Sequence, residues 1–290
     1  MADNTNTNNT SSHTPSSSID ADATATAATT QFVDHFGAAG AQYRSFRPSY
    51  PIELYDIIKE YTKEQPKKLA FDVACGNGQA TVQIAEFFDK VIGFEPSDGQ
   101  FKNCIQAPNV EYRVSPAEDI DWKENESVDL ITVATAVHWF NLPVFYKECQ
   151  RLLKSNGSLI IWTYGFFKIL GNENAEEINK TMGTKTLAEY WAPANKIVAE
   201  KYVNIHPPFS QVERKEITFK VDVTLDQVVG HYQTWSAYSK YLKTNECILP
   251  KIREQLLQAF NTSDSSIPVV LEYTVSMILF IVLEYTNITQ

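Results

Sequence analysis

One stretch constrains this chain more than any other: Leu69-Ala70-Phe71-Asp72-Val73-Ala74-Cys75-Gly76-Asn77-Gly78-Gln79. An apolar run carrying an acidic residue breaks into a Gly-x-Gly turn. An amphipathic segment follows at once, with Ala80, Val82, Ile84, Ala85 and Phe87 as its apolar positions. The pattern predicts a buried strand, a tight turn and a helix start. Gly76 and Gly78 let the backbone approach a ligand and accept φ values that a Cβ resists. The free N–H groups of the helix start face whatever rests on the turn.

The surroundings sharpen this signal. Val91-Ile92-Gly93-Phe94-Glu95 reads as a second strand ending in a carboxylate about 20 residues after the glycines, the spacing at which an acid reaches ribose hydroxyls in dinucleotide folds. A dinucleotide fingerprint, however, has glycine at the position of Ala74 and a third glycine where this chain reads Gln79-Ala80-Thr81. A nicotinamide-dependent oxidoreductase therefore fits poorly. Asp72 followed by Ala-Cys-Gly-x-Gly and the distant Glu95 instead resembles the S-adenosylmethionine turn of class I methyltransferases. Alanine at position 74 is a variant of the glycine usual in that family.

A net charge of −10 over 290 residues argues against a nucleic-acid surface, which needs clustered Lys and Arg. No run reaches the roughly 20 apolar residues of a membrane span, and the start has neither the basic nor the apolar region of a signal peptide. Cys75, Cys104, Cys149 and Cys247 show no CxxC or zinc-like spacing, so no metal site is expected. They read as free thiols of a reducing, cytoplasmic setting. A monomer is the favoured assembly.

Along the chain, residues 1–30 are Asn-, Thr-, Ser- and Ala-rich and too poor in large apolar side chains to offset their ordering entropy, which predicts a disordered tail. Residues 31–66 are expected to form N-terminal cap helices: Phe32 to Phe46 is helix-like. Pro48 and Pro51 then force extended geometry before a helix with Ile52, Leu54, Tyr55, Ile57 and Ile58 on its apolar side. Residues 67–164 alternate strand and helix, with strands at 69–73, 91–95, 110–114, 128–134 and 158–163 and helices near 79–88, 98–106 and 143–153. Such alternation means a parallel sheet covered on both faces, with ligands at the carboxyl ends of the strands. Residues 165–212 read as a cap insertion, and 213–290 hold the remaining strands, at 216–223 and 269–280, with substrate-side helices. The expected fold is α/β: a Rossmann-like, seven-stranded, mostly parallel sheet with helices on both faces and a helical cap. Val270-Leu271-Glu272-Tyr273-Thr274 recurs as Val282-Leu283-Glu284-Tyr285-Thr286, either as a hairpin or as an extension past the last strand.

Further motifs extend the resemblance over about Tyr43 to Phe280. Ser127 to Ala136 looks like the family's fourth strand, and Leu152-Leu153-Lys154-Ser155-Asn156-Gly157-Ser158-Leu159 like its entry into the fifth, where Asn-Gly supplies a positive φ. Ser115-Pro116-Ala117-Glu118-Asp119 looks like the adenine-contacting loop. Phe46-Arg47-Pro48-Ser49-Tyr50-Pro51, Ala136-Val137-His138-Trp139-Phe140 and Thr234-Trp235-Ser236-Ala237-Tyr238 resemble the branch that includes fungal-type trans-aconitate methyltransferases. These three phrases mark the branch more than the substrate.

The resemblance implies S-adenosylmethionine as cofactor, held by Asp72, Ala74, Gly76, Gly78, Glu95, Pro96, Gln100, Ala117, Glu118 and Thr135. Glu95 offers two oxygens to the ribose diol. Asp72 would hold the turn and favour the cationic sulfonium. Gln100 would stack on or hydrogen bond the adenine, or face solvent; Glu118 would take the adenine amino group or stay a surface acid. Thr135 would lie beside the sulfur, or bond its own backbone. His138 is the catalytic candidate: it can take a proton from a hydroxyl, donate to a carboxylate, or pack structurally on Trp139. The acceptor pocket would draw on Arg47, Tyr50, Trp139, Trp191, Trp235 and Tyr238, with Arg47 suited to a carboxylate. The sequence thus reads as a methyltransferase acting on a small molecule, with O-methylation expected and a carboxylate as one candidate acceptor. The alternative is a cofactor-binding or scaffold protein of the same fold that does no chemistry.

Overall fold

The computed structural model describes residues 46–209 and 211–282. The expected N-terminal tail, the helix predicted before Phe46 and the second Val-Leu-Glu-Tyr-Thr run beyond Val282 lie outside the described residues. Pro51, with φ of −68°, leads into α1 (Ile52–Tyr61), which buries Leu54, Tyr55 and Ile58. The core then alternates β1 (Leu69–Val73), α2 (Gln79–Ile84), β2 (Lys90–Phe94), α3 (Asp98–Phe101), β3 (Val110–Arg113), β4 (Val128–Ala134), α4 (Leu142–Leu152) and β5 (Leu153–Tyr164). The insertion holds β6 (Lys168–Ile169), α5 (Glu173–Thr181) and α6 (Asn195–Ala199); β7 (Gln211–Thr224), α7 (Leu225–Gln233), α8 (Ser236–Tyr241), α9 (Leu249–Ala259) and β8 (Pro268–Ile281) complete it.

The sheet runs β3-β2-β1-β4-β5-β8, with β7 on the far side of β8. β1 to β5 are mutually parallel, and β8 is antiparallel to its neighbours. The sheet has eight strands where seven were expected, and the register explains the extra one. Val275 pairs with Tyr164 on one side and Ile217 on the other, while Glu272 pairs with Lys168 and Lys220. β6 therefore resumes the line of β5 after a break and adds no new position.

Side-chain alternation divides the core between the two faces of the sheet. Ala70, Leu130, Val275, Met277 and Leu279 pack with α1, α2 and the helices of the insertion and C-terminal region. Phe71, Val73, Ile131, Val133, Ile278 and Phe280 pack on the other face with α4 and Tyr202. Among the described residues no helix is long and apolar enough to cross a membrane.

Two helix expectations need correction. The helix expected over 79–88 ends at Ile84, because Glu86 and Phe87 bond back three residues, to Gln83 and Ile84, in tighter turns. The helix expected over 98–106 is the single turn α3: Asn103 and Cys104 bond back three residues, and the Ile105 N–H then goes to the Asn77 carbonyl at 2.9 Å. The positive φ expected of Asn156-Gly157 at the entry into β5 falls on Asn156, at 65°. Gly157 instead answers a close approach: a Cβ there would lie 2.9 Å from the Lys154 carbonyl and 3.1 Å from that of Val128.

Candidate active site

Register brings the carboxyl ends of β1, β2 and β4 together: Asp72 lies opposite Gly93 and Thr132, and Val73 opposite Phe94. The Cys75 N–H continues the ladder to the Phe94 carbonyl at 3.0 Å before the chain turns. The turn is left-handed at Ala74 (φ 54°), Gly76 (58°) and Gly78 (83°). Two glycines do different work in it. A Cβ on Gly78 would collide with the Tyr112 hydroxyl, whereas around Gly76 the nearest atom to such a Cβ is Gln100 Oε1 at 4.0 Å. Gly76 thus leaves an open cradle and Gly78 a closed one.

Glu95 fastens this turn to the end of β2. Its Oε2 accepts the Gly76 N–H at 2.8 Å and its Oε1 the Ser97 N–H at 2.9 Å. Pro96 sits half-buried between them, and Ser97 caps α3. Asp72 lies beneath the turn, fully buried, accepting from Thr81 Oγ1 at 2.6 Å and Thr132 Oγ1 at 2.9 Å. Burial raises its carboxyl from the ordinary value to about 6, against the lowering pull of those two hydroxyls. Gln100 points inward and is buried, and its Oε1 has no hydrogen-bond partner; Asn77 Nδ2 is in the same state. Ala117 is buried, while Glu118 spends one oxygen on the Asn141 N–H at 2.7 Å, at the start of α4.

The second part of the site is a cavity of about 90 Å³. Its wall brings together three phrases far apart in sequence, through Arg47, His138 with Trp139, and Trp235 with Ser236, and adds Thr135 and Trp191. Contacts between them hold the wall: His231 Nδ1 lies 2.9 Å from the Phe46 carbonyl, and Arg47 Nη2 donates to the Thr234 carbonyl at 3.3 Å. Trp191 packs edge-on to Phe166 and donates its Nε1–H to the Gly183 carbonyl at 2.8 Å. Thr135, left-handed at φ 53°, joins its hydroxyl to that of Tyr50 at 3.1 Å. A positive φ at a β-branched residue is an outlier of the kind that clusters at functional sites. Tyr50 supports the wall from behind, against Trp162 and Tyr164. Tyr238 is not brought in: it is buried with its hydroxyl 3.2 Å from Cys247 Sγ and is absent from the cavity wall.

His138 is buried, with Nδ1 at 2.8 Å from the Tyr202 hydroxyl. Either the ring nitrogen or the hydroxyl can be the donor of that bond. Burial lowers the imidazole to about 4, so the ring is neutral near pH 7. Tyr202 reaches His138 through a strained turn: Lys201 and Tyr202 are both left-handed, at 55° and 59°. Arg214 braces that turn, donating to the Tyr202 carbonyl at 3.0 Å and to that of Ile205 at 2.7 Å.

Several wall residues carried no signal that singled them out. Tyr164 ends β5 and Phe166 lies just past it, the place where strand topology puts ligands, and that rule would have found them. Asn195, Val198 and Ala199 of α6 also line the cavity, and nothing in their local sequence marks them.

Comparison with known proteins agrees with this geometry. Residues 71–161 match the family model of the methyltransferase domain. A Dictyostelium discoideum protein whose name assigns it provisionally to the methyltransferases is 48% identical over 237 residues, covering 81% of this chain and 89% of that relative. The Saccharomyces cerevisiae protein CRG1, provisionally named as an S-adenosylmethionine-dependent methyltransferase, is 26% identical over 81% of this chain and 92% of its own length. A solved structure from Anaeromyxobacter dehalogenans, provisionally a type II methyltransferase, superposes with a TM-score of 0.71 at 28% identity, covering 82% of this chain and 99% of that one.

Proposed function

The chain belongs to the class I S-adenosylmethionine-dependent methyltransferases, and we propose that it transfers the methyl group to a carboxylate oxygen of a small organic acid. Its cofactor, S-adenosylmethionine, supplies an electrophilic methyl on a cationic sulfur when bound. The residues present fit that group. Gly76 leaves an open cradle, and the buried Gln100 Oε1 and Asn77 Nδ2 are polar atoms awaiting partners beside it. Glu95 sets a carboxylate, the group suited to a ribose diol, at the end of β2, and its bonds to the Gly76 and Ser97 N–H groups fix its aim. Asp72, beneath the turn, biases the local field toward a cation.

The observation that carries the choice of acceptor is the state of His138. A buried imidazole lowered to about 4, with Nδ1 paired to the Tyr202 hydroxyl, is too weakly basic to serve as the base for a hydroxyl acceptor. A hydroxyl acceptor would need a base; a carboxylate is already deprotonated at neutral pH and needs none. Arg47 at the same cavity supplies positive charge for the carboxylate, and Trp139, Trp191 and Trp235 exclude water around it. The chain's task is then alignment of nucleophile and methyl group, from which most of the rate follows.

Arg47→Met tests this reading. The variant should raise KM for acid acceptors about tenfold or more while S-adenosylhomocysteine binds as tightly as to wild type by calorimetry. An unchanged KM would remove Arg47 from the acceptor site. Loss of S-adenosylhomocysteine binding in Glu95→Ala, with circular dichroism unaltered, is the matching result for the cofactor side.

A further inference from the structure

The cofactor turn carries a thiol pair that the chemistry above does not use. Cys75 Sγ donates to the Gly76 carbonyl at 3.8 Å, and Cys104 Sγ, from the segment after α3, donates to the same carbonyl at 3.4 Å and to that of Gln100 at 3.7 Å. The two thiols thus meet at one carbonyl oxygen, and each shifts the other's acidity. The remaining cysteines differ: Cys149 is buried in the core, and Cys247 is exposed on the Tyr238 hydroxyl. Nothing in the sequence spacing links Cys75 to Cys104, because the pairing depends on the chain returning from Gln100 to the turn.

We propose that Cys75 and Cys104 form a reversible disulfide under hydroperoxide, and that this bond closes the turn to its cofactor. Cys104 is half-buried and Cys75 nearly enclosed, so peroxide meets Cys104 first. The neighbouring Cys75 lowers the Cys104 thiol, whereas burial raises that of Cys75, which sets the same order. The Cys104 thiolate attacks one peroxide oxygen, the O–O bond breaks, and a sulfenic acid forms with release of water. The Cys75 sulfur, giving up its proton, then attacks the Cys104 sulfur and expels a second water. In balance, two thiols lose two electrons and one hydrogen peroxide becomes two waters.

The consequence for the site follows from the Gly76 carbonyl. Oxidation removes both thiol donors from it and ties the turn covalently to the segment that carries Gln100. The cradle around Gly76, which is open now, is pulled toward Cys104. This effect on binding rests on the cofactor lying across the turn, as set out above.

The experiment treats the full-length protein with hydrogen peroxide, maps non-reduced peptides by mass spectrometry, and measures S-adenosylhomocysteine affinity before oxidation, after it, and after dithiothreitol. Wild type should yield a peptide joining Cys75 to Cys104, with affinity about tenfold weaker or worse and regained on reduction. Cys104→Ser, which keeps a donor for the Gly76 carbonyl, should yield no such peptide and keep its affinity through the treatment. Absence of the joined peptide, its presence with unaltered affinity, or an equal loss in Cys104→Ser would each overturn the proposal. A reduced wild type that binds no S-adenosylhomocysteine would overturn the reading of the cofactor site itself, and its control with it, while the peptide map reports on the disulfide separately.

Discussion

His138 Nδ1 and the Tyr202 hydroxyl share a buried hydrogen bond of 2.8 Å. This one contact holds the imidazole in its place at the cavity wall. In Tyr202→Phe that hold is gone and Nδ1 is left without its partner. KM for the acid should rise about tenfold, with S-adenosylhomocysteine affinity unmoved and stability lower by about 1–2 kcal/mol from the buried nitrogen left unpaired. Steady-state kinetics and denaturant titration measure both; an unaltered KM would separate Tyr202 from acceptor binding.

Asp72 and His138 pull stability in opposite directions over one pH window. The folded Asp72 carboxyl lies at about 6, above its ordinary 3.8, so its contribution is fully present below 3.8 and lost as pH rises through about 6. The folded His138 lies at about 4, below 6.5, so the unfolded chain takes up a proton that the fold refuses, and stability falls as pH drops from 6.5 toward 4. The Asp72 and His138 shifts each amount to roughly 3 kcal/mol at 1.36 kcal/mol per unit and offset one another. Burial also holds His231 well below its ordinary value, so wild type should still lose stability as pH falls below 6.5. Asp72→Asn should steepen that slope and His138→Gln should flatten it, read by denaturant midpoints at several pH values. Parallel profiles in all three proteins would refute both assignments.

Protonation of Asp72 also bears on binding. S-adenosylmethionine and S-adenosylhomocysteine differ in sulfur charge, so the ratio of their affinities isolates the field at the sulfur. That ratio should fall for S-adenosylmethionine as pH drops below about 6, where Asp72 becomes neutral. Calorimetry at pH 5 and pH 8 gives the comparison; a constant ratio would place Asp72 too far from the sulfur to matter.

Ala74 holds a left-handed φ of 54° that costs an alanine and not a glycine. Ala74→Gly should therefore gain about 1 kcal/mol in denaturant stability. A loss of the same size would mean that the methyl group's packing outweighs the backbone strain.

The amino ends of the strands are held apart from the chemistry by Asp129, which accepts the Lys68 and Leu69 N–H groups at 2.9 and 3.0 Å and Lys154 Nζ at 2.7 Å. Asp129→Ala should cost about 2–3 kcal/mol, since it strips partners from groups at a buried strand end. Cofactor affinity of the folded fraction should stay as in wild type.

Much of this architecture is legible along the chain because each core strand is an apolar run bounded by turn or acidic residues. Leu69 to Val73, ending beside a Gly-x-Gly turn, could hardly be anything else. What escapes is set by distant partners. Past α3 the chain turns back to Asn77, which takes the Ile105 N–H, and Cys75 meets Cys104 for the same reason. Tyr202 reaches His138 through two left-handed residues that lack glycine, so no turn signal announces them. Tyr238 shares a phrase with Trp235 but faces Cys247, since Trp235 stands before α8 in extended geometry while Tyr238 lies within the helix.

The measurement that bears most directly on the account is the alkali lability of the transferred methyl group. The enzyme would be incubated with S-adenosylmethionine labelled in the methyl group and a panel of small carboxylic acids, phenols and amines, and the products treated with base. Label released as methanol, from acids alone, is the predicted result, because a methyl ester hydrolyses where an ether or a methylamine does not. Label that survives alkali on a phenol or an amine would contradict the carboxylate acceptor.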